Sequence, residues 1–489
     1  MTIRLSRAAL AEISRHAAVP AYDPARLRPG ILHFGVGNFH RAHQAVYLDD
    51  LFNQGADHDW ALVGAGVRPA DGAMRRTLHD QDWLTTVVEQ DADASAARVT
   101  AAMADFLAPG DPALPDRLAD PAIRIVSLTI TEGGYYIDPA TQRFSASHPD
   151  IAADAANPAA PRTVFGLILA GLARRRAAGT APFTVMSCDN IPGNGHVTAN
   201  AVAGLAGLSD PALADWVRAS VAFPNSMVDR ITPATSDRER EILARDFAIA
   251  DAWPVFCERF RQWVVEDHFP QGRPALERVG VQFVPDVAPF ELMKIRILNG
   301  GHATIAYPAA LMDIHFVHEA MENALVRRFL HKVEHDDILP VVPPVPATDL
   351  EDYYRLIERR FANPKIGDTI PRLCLDGSNR QPKFIIPSAA DRIAQGGDAG
   401  GLALVSALWC RYCFGTTDSG RPIAANDESW GRLQAQSRLA REEPRAWLAM
   451  ADIYGALGSD PRFAAAFSAA LRALWADGTK ATLERYLGG

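Results

Sequence analysis

A short apolar run that leads directly into a Gly-x-Gly turn constrains the fold of this chain most. Residues 31–34 read ILHF, Gly35-Val36-Gly37 follows, and the segment AHQAVYLDDLF at 42–52 has the apolar spacing of a helix. A strand, a glycine turn and a helix in this order begin many dinucleotide-binding domains, because glycine lets backbone N–H groups approach a pyrophosphate. Alone, Gly-x-Gly is also compatible with an ordinary tight turn.

The two halves of the chain carry different patterns. Further buried-strand runs occur at 61–67, 123–130 and 183–187, and helical patterns such as TVFGLILAGLARRR at 163–176 lie between them. This alternation is typical of a parallel sheet covered by helices on both faces. From about residue 286 onward, helical periods dominate. The sequence therefore predicts an α/β protein with a Rossmann-like parallel-sheet domain over 1–285 and a mainly α-helical domain over 286–489.

Composition excludes several classes of protein. The 489 residues are 48% hydrophobic and 22% charged, which is typical of a folded globule, and the net charge is −9. A protein that binds nucleic acid or a membrane surface needs a basic face, so neither partner is expected. The N-terminal segment lacks the apolar core of a signal peptide, and no apolar run approaches the roughly 20 residues of a membrane span, so a cytoplasmic location is predicted. The sequence leaves the oligomeric state open and is compatible with a monomer.

The cysteines and paired histidines do not indicate a metal. Cys410 and Cys413 form C-x-x-C within the apolar stretch LALVSALWCRYCF, which favours two buried cysteines one helical turn apart over a redox or zinc pair. His40 and His43 have a spacing that metals use, but no carboxylate partner accompanies them. We therefore predict no metal site.

A dinucleotide is the cofactor that the glycine turns indicate. A second Gly-x-Gly, Gly64-Ala65-Gly66, ends the next strand, where the adenosine ribose of such a cofactor lies. Asp71 follows and is able to accept hydrogen bonds from ribose hydroxyls, which favours NAD, whereas Arg68 is able to pair with a 2′-phosphate. The predicted cofactor-binding residues are Gly35, Val36, Gly37, Asn38, Phe39, His40, Arg41, Arg68 and Asp71.

The segment ELMKIRILNGGHATIAY at 291–307 carries polar residues on an otherwise apolar helix. At 100° per residue, Asn299 falls 140° and His302 80° from Lys294, so the three share one broad face. A surface lysine followed by a helix break is the simpler alternative. Two further segments place polar groups at strand ends, SCDNIPGNG at 187–195 and FPNSMVDRITP at 223–233. Asp229 and Arg230 in the second segment are compatible with a structural ion pair or with part of a site.

These motifs together resemble a known family. GVGNFHRAHQAVYLDDL, SLTITEGGYY, SCDN, FPNSMVDRITP, KIRILNGGH and RLCLDGSNRQPKF are similar, in this order, to motifs of the long-chain, metal-independent polyol dehydrogenases of the mannitol dehydrogenase family. The resemblance covers nearly the whole chain. It implies NAD-dependent interconversion of D-mannitol and D-fructose by hydride transfer. The alternatives are another polyol or uronate, such as D-arabinitol, D-sorbitol or fructuronate, or a nucleotide-binding regulator with an inactive catalytic site.

The resemblance also implies roles for individual residues. Lys294 becomes the general acid/base, Asn190 and Asn299 become hydrogen-bond donors around the reacting oxygen, and Asp229, His302 and Arg372 become contacts to sugar hydroxyls. A lysine acts as a base only when neutral, and burial on an apolar helix face favours that form. The spacing itself places Glu291 one turn before Lys294, where it is a candidate to relay the proton to water; the alternative is a solvated residue in the first turn of the helix, favoured there by the helix dipole.

Two positions depart from the family pattern. The family often has an acidic pair after the second strand, where this chain has Ala70 and Asp71, which weakens the grounds for strict preference of NAD over NADP. Arg380 stands where lysine is common, so a substrate contact there is not carried over, because arginine keeps the charge but changes the geometry.

Overall fold

The computed structural model describes residues 2–138 and 143–488 of the chain. These residues form two compact units, the first ending at Ala288 and the second beginning at Pro289. Each unit has its own secondary structure and is described separately.

A five-stranded parallel sheet organises the first unit. We label its strands in chain order: β1 (Pro29–Phe34), β2 (Ala61–Ala65), β3 (Met103–Leu107), β4 (Ile125–Leu128) and β5 (Thr184–Ser187). Their order across the sheet is β3-β2-β1-β4-β5, and every neighbouring pair is parallel. This is the Rossmann order, in which the direction of winding reverses between β1 and β4.

Both faces of this sheet are buried. Ile31 and Ile125 point into one apolar cluster, whereas their neighbours Leu32 and Val126 point into a second cluster on the other face. Successive side chains of a strand alternate between faces, so a strand that is apolar throughout needs cover on both sides. The predicted α/β class and Rossmann-like sheet are confirmed.

Helices supply that cover. The helices of eight or more residues in the first unit are Gln44–Asn53, Asp71–His79, Pro149–Ala156, Val164–Ala178, Asn194–Ser209, Pro211–Ser220 and Asp237–Phe247. Shorter helices are Leu10–Ile13, Asn38–Ala42 and Leu114–Ala119, with 3₁₀ turns at Arg7–Ala9, Pro24–Arg26, Glu132–Tyr135 and Leu276–Val279.

Three smaller sheets complete the first unit. One joins Val255–Glu258, Thr85–Gln90 and Ser95–Thr100; another joins Gln282–Val284, Gln262–Glu266 and Ser226–Asp229; Ile3–Arg4 pairs with Ile249–Ala250.

The second unit is helical. Two of its long helices are Gly400–Cys413, which is almost entirely buried, and Pro461–Tyr486, which packs against it and is kinked at Gly478. Cys410 and Cys413 are free and buried in the first of these, as the apolar context predicted. The remaining helices are Val317–Glu322, Ala324–Val333, Leu350–Phe361, Ile370–Leu373, Gly377–Phe384, Ile386–Ala394, Trp430–Glu442, Arg445–Leu448 and Ala451–Tyr454, with 3₁₀ turns at Leu339–Val341, Pro364–Ile366 and Gly455–Ser459.

One long helix, residues 288–311, is interrupted by a wider turn, and we call it the lysine helix. It consists of the α-helical stretches Ala288–Met293 and Gly300–Leu311, joined by a π-helical turn at Lys294–Asn299. A second π-helical turn, Glu334–Ile338, continues the helix Ala324–Val333.

Two local features differ from the sequence pattern. The helical period of HEAMENALVRRFLHKVEH is broken at Asn323, because this side chain accepts hydrogen bonds from the N–H groups of Leu325 and Val326 and so begins a new helix. Proline favours extended backbone, but the proline-rich stretch 338–349 begins with helical turns through Val341 and is irregular only after them.

Among the helices of the described residues, we find none whose length and hydropathy would suit a membrane span.

Candidate active site

The glycine turn after β1 is built around close contact with β4. Gly35 has φ +93°, and a Cβ atom on it would lie 2.0 Å from the carbonyl oxygen of Thr129, so only glycine fits. At Gly37 the nearest atom to such a Cβ is the Gly35 oxygen at 3.8 Å, so open space lies beside this residue. Packing therefore fixes Gly35, whereas Gly37 leaves room for a pyrophosphate to approach the backbone.

His40 occupies the position of the third glycine in the usual dinucleotide-binding motif, Gly-x-Gly-x-x-Gly, and its ring pairs with that of His33. The imidazole of His40 stacks on that of His33 with ring centroids 3.5 Å apart. His33 also contacts the hydroxyls of Ser127 (2.8 Å) and Thr129 (2.9 Å). Burial lowers the pKa of His33 to about 3 and that of His40 well below its usual range, so both rings are neutral. The stacked rings thus pack the helix Asn38–Ala42 against β1, at the position where a third glycine usually allows the helix to approach the strand closely.

Asn38 and Arg41 hold the loop rather than offer their side chains to a ligand. The Asn38 amide donates to the Pro233 carbonyl and accepts from Arg41 (2.8 Å). Arg41 is 1% exposed and also donates to the Trp253 carbonyl. These contacts show that the side chains of Asn38, His40 and Arg41 position the loop, and their cofactor-binding role stays a prediction. Phe39 stacks on His43 beside them, at 4.8 Å between centroids.

Asp71 closes the turn that follows β2. Its Oδ2 accepts hydrogen bonds from the N–H groups of Val67 (2.8 Å) and Arg68 (2.9 Å). The Arg68 guanidinium extends to the Ile130 carbonyl beyond β4, at 3.5 Å. Both predicted ribose-side residues therefore lie at the carboxyl edge of the sheet, where dinucleotides bind.

The π-helical turn brings the polar residues of the lysine helix onto one side. The N–H of Gly300 donates to the carbonyl of Ile295, a bond that spans five residues instead of four. In such a turn residues five apart become neighbours, so Asn299 lies nearer to Lys294 than the predicted 140°. Turns of this type occur frequently at functional sites.

The lysine helix buries several polar groups, and two of their atoms lack a hydrogen-bond partner in the part of the chain that the structure describes. Lys294 is 6% exposed. Within residues 2–138 and 143–488, nothing hydrogen-bonds to Oδ1 of Asn299 or to Nε2 of His302, although both atoms are buried. Burial lowers the pKa of His302 to about 3, so its ring is neutral at working pH. Buried polar atoms in native proteins nearly always have partners, so these two indicate where a polar ligand binds.

His302 is supported by neighbours that the motifs alone did not identify. Its ring stacks on Phe361 at 4.2 Å between centroids. The Arg372 guanidinium binds the Asp368 carboxylate through Nε (2.5 Å) and through a second N–H, and the charges of both residues act on His302. The structure therefore brings Arg372 close to His302, with one edge of its guanidinium already bound. Arg380 donates instead to the Leu373 carbonyl (3.0 Å).

In the first unit, predicted site residues follow two strand ends. Asn190 lies three residues beyond β5 and is exposed, whereas Asp229, the last residue of Ser226–Asp229, is buried. Arg230 is a structural residue: it donates to the Glu258 carbonyl (3.0 Å) and pairs with Glu89 (2.5 Å). Of the two alternatives for this charge, the ion pair is the one observed.

No cluster of three metal-ligating side chains is present in the described parts of the chain. His40 and His43 pack in the core, and burial lowers the pKa of His43 to about 3.

Comparison with known proteins decides the family. The mannitol dehydrogenase Rossmann domain matches residues 29–278, and the mannitol dehydrogenase C-terminal domain matches residues 286–475. The chain belongs to the mannitol dehydrogenase family. It is a polyol dehydrogenase, and the resemblance drawn from the motifs is confirmed.

Individual relatives agree over full length. A mannitol 2-dehydrogenase of Cereibacter sphaeroides is 62% identical over 477 residues, covering 97% of this chain and 100% of the relative. One from Aspergillus fumigatus is 42% identical, covering 96% and 95%. Among solved structures, a ternary complex of Pseudomonas fluorescens mannitol 2-dehydrogenase with NAD and D-mannitol is 44% identical, covers 99% of both chains and has a TM-score of 0.87. A substrate-free D-sorbitol dehydrogenase is 34% identical, covers 98% and 100%, and has a TM-score of 0.92.

Proposed function

We propose that this enzyme interconverts D-mannitol and D-fructose with NAD, using Lys294 as the general base. The observation that carries the proposal is the buried set on the lysine helix. Lys294 is buried, and no described residue hydrogen-bonds to Oδ1 of Asn299 or to Nε2 of neutral His302, so this set offers uncharged donors and acceptors in addition to the lysine. A polyhydroxylated, uncharged substrate matches such a surface.

The enzyme is NAD-dependent, and the first unit fits that cofactor. Gly35 permits the turn, Gly37 leaves space beside the backbone, and the N–H groups that begin Asn38–Ala42 suit a pyrophosphate. Asp71 lies where ribose hydroxyls are recognised. NAD, when bound, supplies the acceptor for the hydride that leaves the carbinol carbon.

The residues of the chain then handle the proton and the oxygen. As the carbinol carbon becomes a carbonyl carbon, Nζ of Lys294 accepts the hydroxyl proton. The side-chain amides of Asn190 and Asn299 donate hydrogen bonds to the reacting oxygen, which stabilises negative charge on it without protonating the base. In fructose reduction the same lysine returns the proton.

Other side chains bind the remaining hydroxyl groups of the substrate and transfer the proton from Lys294 to water. We assign Asp229, His302 and Arg372 to hydroxyl contacts, with the Asp368 carboxylate fixing the orientation of Arg372. Glu291, one turn before Lys294 and half-buried, relays the proton from the lysine to water. Neutral His302 both donates and accepts, which suits a hydroxyl that does the same.

Initial rates of NAD reduction over a panel of polyols test this function. D-Mannitol, D-sorbitol and D-arabinitol are compared at equal concentration, and the ketose product is identified by chromatography. We expect the highest kcat/KM with D-mannitol and D-fructose as its product. Faster turnover of D-sorbitol would instead match the second solved relative, and absence of turnover with any polyol would refute the proposal.

A further inference from the structure

Thr131 adopts a backbone conformation that its side chain disfavours. It lies three residues beyond β4, at the carboxyl edge of the sheet, with φ +66° and ψ 163°. This region is populated almost only by glycine, and a β-branched residue there is strained. Strain of this type persists only where surrounding contacts enforce it, and it is concentrated at functional sites.

The carboxylate of Asp189 supplies the enforcing contacts. Its Oδ1 accepts from the N–H of Thr131 at 2.8 Å, and its Oδ2 accepts from the N–H of Ile130 at 2.9 Å. Oδ2 also accepts from the hydroxyl of Tyr135 at 2.7 Å. Asp189 is 8% exposed, so water competes little for these bonds. Three donors thus converge on one carboxylate and hold the turn after β4.

The backbone of Asp189 is fixed as firmly as its side chain. Its N–H donates to the Ser187 hydroxyl at 3.2 Å, and its carbonyl accepts from the Asn194 amide at 3.0 Å. Since the Tyr135 hydroxyl donates to Asp189, the Ser187 hydroxyl donates to Tyr135 across their 2.6 Å contact. The residue immediately before Asn190 is therefore held on every polar group.

We propose that Asp189 is a positioning residue of the active site, which locks the strained turn at Thr131 and thereby sets the place of Asn190. The inference rests on the proposed function, in which Asn190 donates to the reacting oxygen. One side chain joins the ends of β4 and β5, so the amide of Asn190 is oriented before substrate arrives. Preorganised donors of this kind stabilise charge without reorganising during the reaction.

Asp189→Asn tests the role with almost no change in shape. An amide has one acceptor oxygen, so whichever way it turns, its NH₂ group faces a backbone N–H that needs an acceptor. We expect kcat for polyol oxidation to fall about tenfold or more, since small displacements of catalytic groups are costly. Hydrogen exchange at the amides of Ile130 and Thr131 should become faster.

Tyr135→Phe removes a single donor to Asp189 and should lower kcat by a smaller factor. This variant tests the inference if Asp189→Asn folds poorly.

A second substitution separates positioning from stability. Glycine takes the φ and ψ of residue 131 without strain, so Asp189→Asn combined with Thr131→Gly should recover part of the lost kcat. Asp154 is the matched control, because it is also buried and accepts from the N–H groups of Arg162 (2.7 Å) and Thr163 (2.9 Å) and from the Thr163 hydroxyl (2.6 Å). Asp154→Asn should lower the unfolding temperature and keep kcat.

The outcomes are distinguishable. An inactive wild type would refute the proposed function itself. With an active wild type, an unchanged kcat in Asp189→Asn would refute the inference alone. The inference is equally overturned if both asparagine variants lose kcat in proportion to stability, or if the folded double variant recovers nothing.

Discussion

At the residue scale, the proposed chemistry depends on buried polar atoms of the helical unit. Oδ1 of Asn299 is buried and has no hydrogen-bond partner within the described residues. In the proposed mechanism, the NH₂ group of this side chain donates a hydrogen bond to the reacting oxygen. Replacement of that group separates a catalytic effect from a structural one.

Asn299→Asp keeps the size of the side chain and removes its donors. We expect kcat for D-mannitol oxidation to fall about 10²–10³-fold, the usual effect of losing one donor to a charged oxygen. The KM for NAD should stay near the wild-type value. Steady-state kinetics with each substrate varied in turn measure both, and a kcat close to wild type would remove Asn299 from the proposed set.

Asp71 is expected to select NAD over NADP, because its carboxylate repels a 2′-phosphate. Asp71→Ala should therefore bring the kcat/KM for NADP closer to that for NAD. The same carboxylate holds the N–H groups of Val67 and Arg68, so some loss of affinity for both cofactors should accompany the change. A wild-type enzyme that prefers NADP would show that Arg68, not Asp71, decides the choice.

At the element scale, the two glycines of the turn after β1 are required for different reasons. A side chain at residue 35 would collide with Thr129, whereas residue 37 has open space and an ordinary φ of −106°. Gly35→Ala should therefore destabilise the folded enzyme. Gly37→Ala should leave the unfolding temperature unchanged and weaken NAD binding. Thermal unfolding and fluorescence titration with NAD compare the two variants. Wild-type affinity of Gly37→Ala for NAD would show that the pyrophosphate does not bind beside residue 37.

The sequence predicted the elements well because strand and helix periodicities are local. Four strands of the sheet (β1, β2, β4 and β5) and the helix Val164–Ala178 lie where apolar patterns predicted them, whereas β3 was not predicted. The π-helical turn at Lys294–Asn299 was not predictable, since nothing in KIRILN distinguishes it from an α-helix. Its consequence, the approach of Asn299 to Lys294, is therefore visible only in the structure.

Candidate site residues likewise fall into those that the sequence pattern indicated and those that only the structure shows. Lys294, Asn299 and His302 were singled out because polar residues on an apolar helix stand out, and the roles that the resemblance implies for them stay predictions. Asp189 and Asp368 were missed, although both are within or close to motifs, because their value lies in contacts with residues distant in sequence or in space. The protein partners of Arg41 were not predictable for the same reason, since a basic residue in a glycine turn resembles a ligand contact and its bond to the Trp253 carbonyl is visible only in the structure.

At the scale of the whole molecule, one buried carboxyl group couples stability to pH. Glu334 is fully buried, and neither oxygen has a hydrogen-bond partner among the residues described. A Cβ on Gly301 of the lysine helix would lie 3.0 Å from its Oε1. Burial raises the pKa of Glu334 well above its usual range, so the group is protonated in the folded state.

The sign of the pH effect follows from proton binding. Above the unfolded-state pKa of about 4.3, the folded chain binds this proton more tightly than the unfolded chain, so stability falls as pH rises toward the folded-state pKa. Glu334→Gln removes the proton and should gain stability relative to wild type as pH rises. Urea unfolding of both proteins between pH 5 and pH 8, at about one-unit intervals, measures the difference. A constant difference across that range would show that Glu334 is ionised when folded.

The central claim is that Lys294 is the general base, and the pH dependence of kcat in the wild type and Lys294→Ala tests it most directly. Oxidation of D-mannitol should accelerate with pH in the wild type, as the lysine loses its proton, while D-fructose reduction slows over the same range. Lys294→Ala should lower kcat about 10²–10⁴-fold and remove this dependence, with NAD binding retained as proof of folding. A variant with near wild-type kcat and an unchanged pH profile would contradict the assignment.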